Sequence, residues 1–211
     1  MITVIFTATD ACGNSTSASY TFTITDVTTP YIINGTNGTS ECQGSNPGLN
    51  TEYITWRNQF ANAATNDACG NATLSYSEGT WTTIDACTQQ ITVTVISTDD
   101  CGLTETADFT FTITDTTDPV LTGGANGSGD CEGTDPSLNT AYLSWRNSYA
   151  GISATDACST PTMSYSEGSW SSPTTCTDVI TVTFTATDDC GNSTSAAYTF
   201  TITDVTTPFI I

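Results

Sequence analysis

One stretch of this sequence occurs three times at a fixed spacing of 89 residues. In its last copy the stretch runs from Phe184 through Asp-Asp-Cys-Gly-Asn and closes with Thr-Ile-Thr-Asp-Val-Thr-Thr before Pro208. Its cysteine falls at Cys12, Cys101 and Cys190, and its closing proline at Pro30, Pro119 and Pro208. Self-similarity at a constant period indicates an array of one structural unit. The fold of this chain must therefore be the fold of one 89-residue unit, repeated.

The period divides the chain into two full units and two partial ones. We assign residues 30–118 and 119–207 to two full repeats, residues 1–29 to the C-terminal part of a preceding repeat, and residues 208–211 to the start of a following repeat. Because the sequence starts and stops within a unit, we expect it to be a window from a longer repetitive protein.

The charge balance excludes two broad classes of protein. The chain has no histidine and carries 2 Lys or Arg against 22 acidic residues, for a formal net charge of −20 at pH 7. A nucleic-acid binder needs a cationic surface to displace counterions from phosphates. No apolar run approaches the roughly 20 residues that a membrane-spanning helix requires. We therefore predict no nucleic-acid partner and no membrane span, and the acidity suits an extracellular surface, a bound cation, or both.

Each full repeat carries four cysteines, which predict disulfides. They are Cys42, Cys69, Cys87 and Cys101 in the first repeat, and Cys131, Cys158, Cys176 and Cys190 in the second. A zinc site is a poor explanation, because the chain has no histidine and no C-x-x-C pair. Disulfides form and persist outside the cytoplasm, so we predict an extracellular location. Four cysteines allow three pairings.

Alternation of apolar and hydroxyl side chains predicts an all-β unit. Residues 91–98 and 109–114 alternate in this way and are rich in β-branched and aromatic residues, as half-buried strands are. One segment breaks the pattern, since its large apolar residues share one face of a helix. These residues are Leu49, Tyr53, Trp56 and Phe60. We therefore predict that each repeat is a small antiparallel β-sandwich with one inserted α-helix.

Tracing the chain up and down such a sandwich places the cysteines at its two ends. Cys42 and Cys87 fall at the top of the first repeat, and Cys69 and Cys101 fall at the bottom. A whole strand, at about 3.3 Å per residue, separates Cys87 from Cys101, which is beyond disulfide reach. The trace therefore predicts disulfides within each repeat. These are Cys42–Cys87, Cys69–Cys101, Cys131–Cys176 and Cys158–Cys190.

The same trace brings acidic residues together where consecutive repeats meet. Clustered carboxylates repel one another unless a hard cation lies among them, and Ca²⁺ accepts six to eight oxygen ligands in flexible geometry. We therefore predict calcium at each junction. The expected ligands are Asp26, Asp67, Asp99 and Asp100 at the first junction, and Glu78, Asp115, Asp118, Asp156, Asp188 and Asp189 at the second. The alternative is that these acids only accept hydrogen bonds within their own turns.

Two motifs carry a resemblance to known proteins. Thr-Ala-Thr-Asp-Asp-Cys-Gly-Asn-Ser-Thr, at residues 185–194, precedes Phe-Thr-Ile-Thr-Asp-Val-Thr-Thr-Pro, at residues 200–208. Together they resemble the tandem immunoglobulin-like (Ig-like) or hyalin-repeat-like modules of very long bacterial surface proteins. The resemblance implies tandem Ig-like β-sandwich repeats in an extracellular adhesive or filamentous stalk. The strand-end Asp before a linker Pro is also similar to cadherin calcium junctions, although Thr29 and Thr207 stand where one copy has Asp118.

Other interpretations of the sequence are weaker. Rows of Thr-x-Thr occur on ice-binding faces, yet outward threonine is ordinary in strands. An enzyme without lysine or histidine would need a carboxylate pair in one pocket, whereas Glu78 and Glu167 recur once per repeat. We therefore predict no enzymatic activity.

The alternative to a stalk is an adhesin module that binds carbohydrates or surfaces through exposed aromatic residues, although aromatic residues at helical spacing are more often core. The residues in question are Trp56, Trp81, Trp145 and Trp170.

Head-to-tail stacking of like repeats predicts self-association into a filament. Each repeat would join the next by a heterologous contact, which gives an open array without closed symmetry. Residues 1–33 match residues 179–211 at 28 of 33 positions, whereas residues 90–122 match them at 18. That alternation indicates duplication of a two-repeat block.

N-linked glycans are possible further partners, at Asn14, Asn34, Asn37, Asn71, Asn126 and Asn192.

Overall fold

The computed structural model describes residues 1–174 and 176–208, with the backbone alone at Pro173. The predicted start of a following repeat, residues 208–211, therefore lies outside the described residues except for Pro208. The chain begins with a leading hairpin of β1 (Ile2–Thr9) and β2 (Ser15–Phe22), which pair antiparallel along their whole length. Its turn is held by Asp10, whose Oδ1 accepts hydrogen bonds from the backbone N–H groups of Cys12 and Asn14.

The first repeat, residues 30–118, is described in full and contains seven strands and one α-helix. In chain order its elements are β3 (Tyr31–Ile33), β4 (Gly38–Glu41), a 3₁₀ turn (Pro47–Leu49), α1 (Thr51–Asn58), a second 3₁₀ turn (Phe60–Asn62), β5 (Ala64–Asn66), β6 (Ala72–Glu78), β7 (Thr82–Thr83), β8 (Thr88–Asp99) and β9 (Thr104–Thr114).

These strands form two layers. One layer is a sheet in the order β4-β9-β8-β6, with β7 also paired to β8, and the other contains the antiparallel pair β3–β5. Strand β4 runs parallel to β9, whereas β6 and β9 run antiparallel to β8. Ile32 of β3 and Tyr53 of α1 pack against the same core cluster as Ile91 and Phe111. The predicted all-β sandwich with one inserted helix is therefore confirmed, but it is not wholly antiparallel as predicted, because β4 pairs parallel with β9.

Alternation along β8 and β9 produces the core. Ile91, Val93 and Val95 of β8 are at most 2% exposed, and β9 contributes Phe111 and Ile113. The threonines between them point to the other face of the sheet, as the two-residue period of a strand requires. Each such apolar side chain stabilises the fold by about 1.5–3 kcal/mol when it is fully buried.

The helix α1 begins at a capping residue and packs by its aromatic face. The Asn50 side chain accepts hydrogen bonds from the N–H groups of Glu52 and Tyr53, which satisfies two of the free donors at the helix start. Tyr53 is fully buried, and the Trp56 indole N–H donates to the carbonyl of Thr36 at 2.9 Å. The other two residues of the predicted stripe, Leu49 and Phe60, lie in the flanking 3₁₀ turns.

The second repeat, residues 119–207, has the same arrangement. Its elements are β10 (Val120–Gly123), β11 (Gly127–Asp130), a 3₁₀ turn (Pro136–Leu138), α2 (Thr140–Asn147), a second 3₁₀ turn (Tyr149–Gly151), β12 (Ile152–Thr155), β13 (Thr162–Glu167), β14 (Ser171–Thr174), β15 (Thr177–Thr187) and β16 (Ser193–Thr203). The large sheet runs β11-β16-β15-β13 with β14 on β15, and β10 pairs with β12.

The leading hairpin corresponds to the last two strands of a repeat. By the 89-residue period, β1 and β2 match β8 and β9. Phe22 of the hairpin is 64% exposed, whereas Phe200, at the equivalent position of the second repeat, is 1% exposed.

In the described part of the chain, no helix is long and apolar enough to cross a membrane.

Candidate functional site

Two junctions lie at the ends of the first repeat, and each gathers three aspartates from turns of the same kind. At each junction, the segment after the last strand of one unit meets two turns at the bottom of the next unit. The downstream junction contains Asp115, Asp156 and Asp188, and the upstream junction contains Asp26, Asp67 and Asp99, each 89 residues earlier.

Two disulfides cross the downstream junction. Cys42 is bonded to Cys158 with a Cα–Cα distance of 6.2 Å, and Cys87 is bonded to Cys190 with a Cα–Cα distance of 5.2 Å. The cysteines at the top of the first repeat are thus joined to those at the bottom of the second repeat. Consecutive repeats are held together by two covalent links besides the peptide chain.

The predicted disulfides Cys42–Cys87 and Cys158–Cys190 are therefore wrong. Cys42 and Cys87 do lie at the same end of the repeat, but on opposite sides of β9. The N–H of Cys42 donates to the carbonyl of Thr114, and the carbonyl of Cys87 accepts the N–H of Asp115. Two strands that flank a third are about 10 Å apart, whereas bonded cysteines have Cα atoms within about 7 Å. The sequence trace missed β4 and therefore missed this separation.

The remaining predicted disulfides, Cys69–Cys101 and Cys131–Cys176, are also not formed in the described chain. Cys69 and Cys101 lie exposed at the upstream junction, where their backbone N–H groups donate to Asp67 and Asp99 at 2.8 Å. Partial desolvation of the sulfur, followed by the negative charges of the neighbouring carboxylates with Asp26 first among them, raises the pKa of the Cys101 thiol. Because the thiolate is the reactive form, this thiol reacts slowly at neutral pH.

The three carboxylates of the upstream junction converge directly on one another. One oxygen from each of Asp26, Asp67 and Asp99 lies within 4.8 Å of the other two. Asp67 Oδ1 and Asp99 Oδ2 are buried and accept no hydrogen bond from the described residues. Asp99 is only 7% exposed. A buried carboxylate oxygen without a donor is costly, and a cation among the three residues would remove that cost.

At the downstream junction the carboxylates share their space with the disulfides. Asp115 groups with Asp188 and the sulfur of Cys190, and separately with Asp156 and the sulfur of Cys158, each within 4.8 Å. Calcium takes oxygen ligands, so the bonded sulfurs contribute nothing to such a site. The downstream aspartates are thus less completely arranged for a cation than the upstream ones.

The downstream carboxyl groups also differ in acidity. Burial, followed by the charges of Asp156 and Asp188, raises the pKa of Asp115 above its ordinary value of 3.8. Burial acts in the same direction on Asp188, but hydrogen bonds from Asn192 and from the Cys190 N–H outweigh it and lower the pKa of that carboxyl. The negative charge of the junction is therefore held more firmly by Asp188 than by Asp115.

Two residues join the repeats by hydrogen bonds across the downstream junction. The Asn192 Nδ2 donates to Asp188 Oδ2 at 2.8 Å and to the carbonyl of Asp115 at 3.4 Å. Asp118 Oδ1 accepts the backbone N–H of Ser193 at 3.0 Å. Asp118 thus lies at the predicted junction, with one oxygen used by the protein. Sequence reasoning assigned Asn192 only to a glycosylation sequon, and its amide is already engaged.

The predicted role of Glu78 at a junction is wrong. Glu78 lies opposite Val93, in the middle of β8, and its carboxylate pairs with the Arg57 guanidinium at 2.6 Å. The guanidinium carbon also lies 5.5 Å from the centre of the Tyr53 ring. The sequence trace assumed that β6 reaches the top of the repeat, whereas it ends halfway along β8. Arg146 and Glu167 form the same pair in the second repeat, at 2.5 Å.

Two further predicted ligands lie beside the junctions without joining the aspartate clusters. Asp100 Oδ2 accepts the backbone N–H of Asn71 at 3.2 Å, which ties together two turns of the first repeat. Asp189 is exposed, and its carbonyl oxygen lies 4.0 Å from the sulfur of Cys87. Both residues therefore act through the turns that hold the clustered aspartates.

The cavity at the downstream junction is small for a sugar-binding pocket, whereas a more open groove beside α1, lined by Trp56 among others, has a volume of about 370 Å³. The cavity between the two disulfides has a volume of about 140 Å³ and is lined by Cys42, Cys87, Cys158 and Cys190 among others. Small-molecule pockets usually measure about 300–1,000 Å³. The four tryptophans pack against the two cores, as the sequence predicts, and they are Trp56, Trp81, Trp145 and Trp170.

Comparison with known proteins gives distant structural likenesses. No protein-family model matches the chain, and no curated protein matches it in sequence. The chain is similar to the extracellular domain of protocadherin GammaB4, with 15% identity and a TM-score of 0.39 over 97% of this chain and 39% of that chain. It is also similar to EC1-3 of mouse protocadherin-24, with 12% identity and a TM-score of 0.34 over 97% of this chain and 79% of that chain. Since these TM-scores lie below 0.5, the function proposed below rests on the residues of the junctions.

Proposed function

We propose that this chain is a run of structural repeats from an extracellular filament or surface stalk of a bacterium, with calcium bound at junctions between repeats. The observation that carries the proposal is the upstream cluster. There, Asp26 of one unit meets Asp67 and Asp99 of the next, and two buried carboxylate oxygens accept no hydrogen bond from the described residues. An ion held by these three residues would link consecutive units.

The disulfides support an extracellular location. Cys42–Cys158 and Cys87–Cys190 connect residues 116 and 103 positions apart in the sequence. Such bonds persist in oxidising compartments and are rare where glutathione keeps thiols reduced. Two links across a junction also suit a stalk, because they resist separation of neighbouring repeats.

Calcium suits the upstream junction better than a protein cation does. The only cationic side chains of the sequence are Arg57 and Arg146, and each is paired with a glutamate of its own repeat. The aspartate oxygens are hard ligands, and Ca²⁺ tolerates the irregular geometry of turns more readily than Mg²⁺. Asp26, Asp67 and Asp99 would hold the ion, which would neutralise their charge and stiffen the junction.

Calcium titration of the chelator-treated protein tests this part of the proposal. Isothermal titration calorimetry should detect a site that is lost, or weakened at least about tenfold, when Asp67→Asn and Asp99→Asn are combined. Asp108→Asn is the matched control, because Asp108 is an exposed acid in the middle of β9 that bonds to Thr94. Unchanged calcium binding in the double variant would refute the site.

Electron microscopy of filaments sheared from the producing cells tests the stalk. At roughly 35–45 Å per sandwich, a two-repeat block predicts an axial period of about 70–90 Å in an extended array. Filaments with this period support the proposal. Discrete globular particles without axial periodicity would favour the detached adhesin module.

A further inference from the structure

The downstream junction provides a template for every other cysteine of the full repeats. Its top half is supplied by the first repeat, and its bottom half by the second. The 89-residue period places Cys131 and Cys176 at the top of the second repeat, and Cys69 and Cys101 at the bottom of the first. The described chain thus carries one closed joint and two matching halves of the same joint.

The top half of the joint has the same strand pairing in both repeats, although the Cys42 N–H donates to the Thr114 carbonyl and the Cys131 N–H to Asp130 Oδ1. Cys42 follows β4, which runs parallel to β9, and Cys131 follows β11, which runs parallel to β16 in the same register. The carbonyl of Cys87 accepts the N–H of Asp115 at 3.0 Å, and the carbonyl of Cys176 accepts that of Asp204 at 3.0 Å. Cys131 and Cys176 therefore flank β16 just as the bonded cysteines flank β9.

The bottom half is repeated with equal fidelity. In the closed joint, the N–H groups of Cys158 and Cys190 donate to Asp156 and Asp188 at 2.8 Å. In the first repeat, the N–H groups of Cys69 and Cys101 donate to the equivalent aspartates, also at 2.8 Å. Both thiols are exposed. The same turns thus present the same two sulfurs at the bottom of each repeat.

We infer that the array is closed by two disulfides at every junction, with one repeat supplying the top pair of cysteines and another copy of the repeat supplying the bottom pair. Cys131 and Cys176 would then bond to the bottom cysteines of a following repeat, equivalent to Cys69 and Cys101. Bonding within a repeat is disfavoured, since the top cysteines are separated by a strand. The inference rests on the proposed head-to-tail array and specifies its cross-links.

Each bond forms by ordinary thiol–disulfide exchange with a low-molecular-weight disulfide such as oxidised glutathione. A thiolate of one repeat attacks this disulfide and releases one reduced thiol, and the thiol of the next repeat then displaces the second. Two protein thiols and one disulfide oxidant thus become one protein disulfide and two reduced thiols. The consequence is that a backbone cut between two repeats leaves them covalently joined until both disulfides are reduced.

An extended chain tests the inference directly. Because residues 1–33 and 179–211 are near copies, appending residues 34–211 after Ile211 continues the array in register. After refolding with oxidised glutathione, non-reducing peptide mapping of the monomeric product should recover Cys131 linked to Cys69, and Cys176 linked to Cys101. Neither linkage should occur in the 211-residue monomer, in which Cys69, Cys101 and Cys131 should react with an alkylating agent.

The controls separate failure of the inference from failure of the fold or of the stalk. Recovery of Cys42–Cys158 in the same digest shows that the chain has folded. Cys131→Ser should free one Cys69 for alkylation in the extended chain, whereas Cys12→Ser should free no thiol. Linkage of Cys69 to Cys101, or an elongated particle in which no Cys131 is linked to Cys69, would overturn the inference and leave the stalk intact. A compact particle by small-angle X-ray scattering would instead refute the stalk.

Discussion

The two junctions share three aspartates and the turns that carry two of them, and they differ in the residues beside these turns. Downstream, two disulfides cross the contact, Asn192 donates to Asp188, and Asp118 accepts an N–H from the next repeat. Upstream, the equivalent positions hold Leu103, which has no side-chain amide to donate, and Thr29, which has no carboxylate to accept. Both sets of acids accept hydrogen bonds from their own turns, but upstream Asp67 Oδ1 and Asp99 Oδ2 are buried without a donor among the described residues.

The orphaned oxygen of Asp99 follows directly from this difference. Asp188 Oδ2 accepts the side-chain amide of Asn192, whereas Leu103 stands at the position equivalent to Asn192 and Asp99 Oδ2 accepts no hydrogen bond from the described residues. A hydrogen-bond donor and a cation are alternative ways to satisfy the same carboxylate. The upstream junction, with fewer protein donors, is thus the better candidate for the proposed calcium site.

The largest expected effect comes from opening the two disulfides that cross the downstream junction. Combining Cys42→Ser with Cys87→Ser opens both disulfides of the downstream junction. Each bond closes a loop of more than 100 residues, since the cysteines lie 116 and 103 positions apart. A loop of about 100 residues contributes about 4–5 kcal/mol, so urea unfolding should show a large loss in the free energy of unfolding.

Small-angle X-ray scattering should show a wider range of angles between the two repeats of this variant. Cys12→Ser is the control, because Cys12 lies in the leading hairpin and forms no disulfide in the described chain. A double variant as stable and as rigid as the parent would mean that noncovalent contacts alone hold the junction.

The second-largest effect is expected when Leu103, beside Asp99, is replaced by asparagine, the residue at the equivalent position beside Asp188. Leu103→Asn should supply the donor missing at Asp99 and compete with the ion, which weakens upstream calcium binding. A hydrogen bond to a charged group contributes about 1.5–3 kcal/mol, so about a tenfold loss of affinity in calorimetry is expected. Leu103→Ala, which adds no donor, is the matched control. Equal losses in both variants would show that packing of Leu103, and not the missing donor, controls the site.

Much of the fold was predictable because its signals are local. The alternation in β8 and β9 and the aromatic face of α1 are visible in short segments of sequence, and the period repeats each signal. β4 gives no such signal, because Gly38–Glu41 contains no apolar residue and pairs with a strand about 70 residues later. β4 places Cys42 on the side of β9 away from Cys87. Because the sequence did not predict this strand, the predicted disulfide partners of Cys42 and Cys87 were wrong as well.

The positions of the candidate site residues could be predicted only where the ends of the strands could be predicted. Asp115, Asp156 and Asp188 follow strands or lie in turns whose positions the alternation predicts. Glu78 was misplaced because the length of β6 relative to β8 depends on nonlocal pairing. Glu41 was missed, although its carboxylate accepts the N–H of Thr116 at 2.8 Å. The contrast between Leu103 and Asn192 was visible in the repeats and could have revealed the difference between the junctions.

The third effect is a difference in acidity between Asp26 and Asp115, which occupy equivalent positions. Hydrogen bonds from the Thr28 side chain and backbone lower the pKa of Asp26 below 3.8, whereas burial, followed by Asp156 and Asp188, raises that of Asp115. The contribution of Asp115 to stability is therefore fully present below pH 3.8 and is lost as pH rises through its raised pKa. The contribution of Asp26 to stability has the opposite pH dependence. It is present above pH 3.8 and is lost as pH falls through the lowered pKa of Asp26.

Carbon-13 NMR titration of the two carboxyl groups in chelator-treated protein measures this difference. Asp115 should titrate above 3.8 and Asp26 below it. Asp156→Asn should lower the pKa of Asp115, because it removes one repelling charge, and Asp108→Asn should leave it unchanged. If both carboxyl groups titrate at the same pH, the junctions are electrostatically equivalent and the comparison fails.

The smallest effect concerns the hydrogen bond that Asp118 accepts from the Ser193 N–H at 3.0 Å. Asp118→Thr gives the downstream junction the residue that the upstream junction has at Thr29. Because Asp118 is exposed, the loss should fall at the lower end of the usual range, about 0.5–1.5 kcal/mol for one hydrogen bond. Hydrogen–deuterium exchange should show faster exchange at Ser193, by less than about tenfold, with the disulfides intact.

The reciprocal Thr29→Asp should slow exchange at Thr104, the residue equivalent to Ser193, because the new carboxylate can accept its N–H. Slower exchange at Thr104 without faster exchange at Ser193 would mean that the disulfides alone position the downstream turn, and that the carboxylate matters only in a chain whose junction cysteines are unbonded.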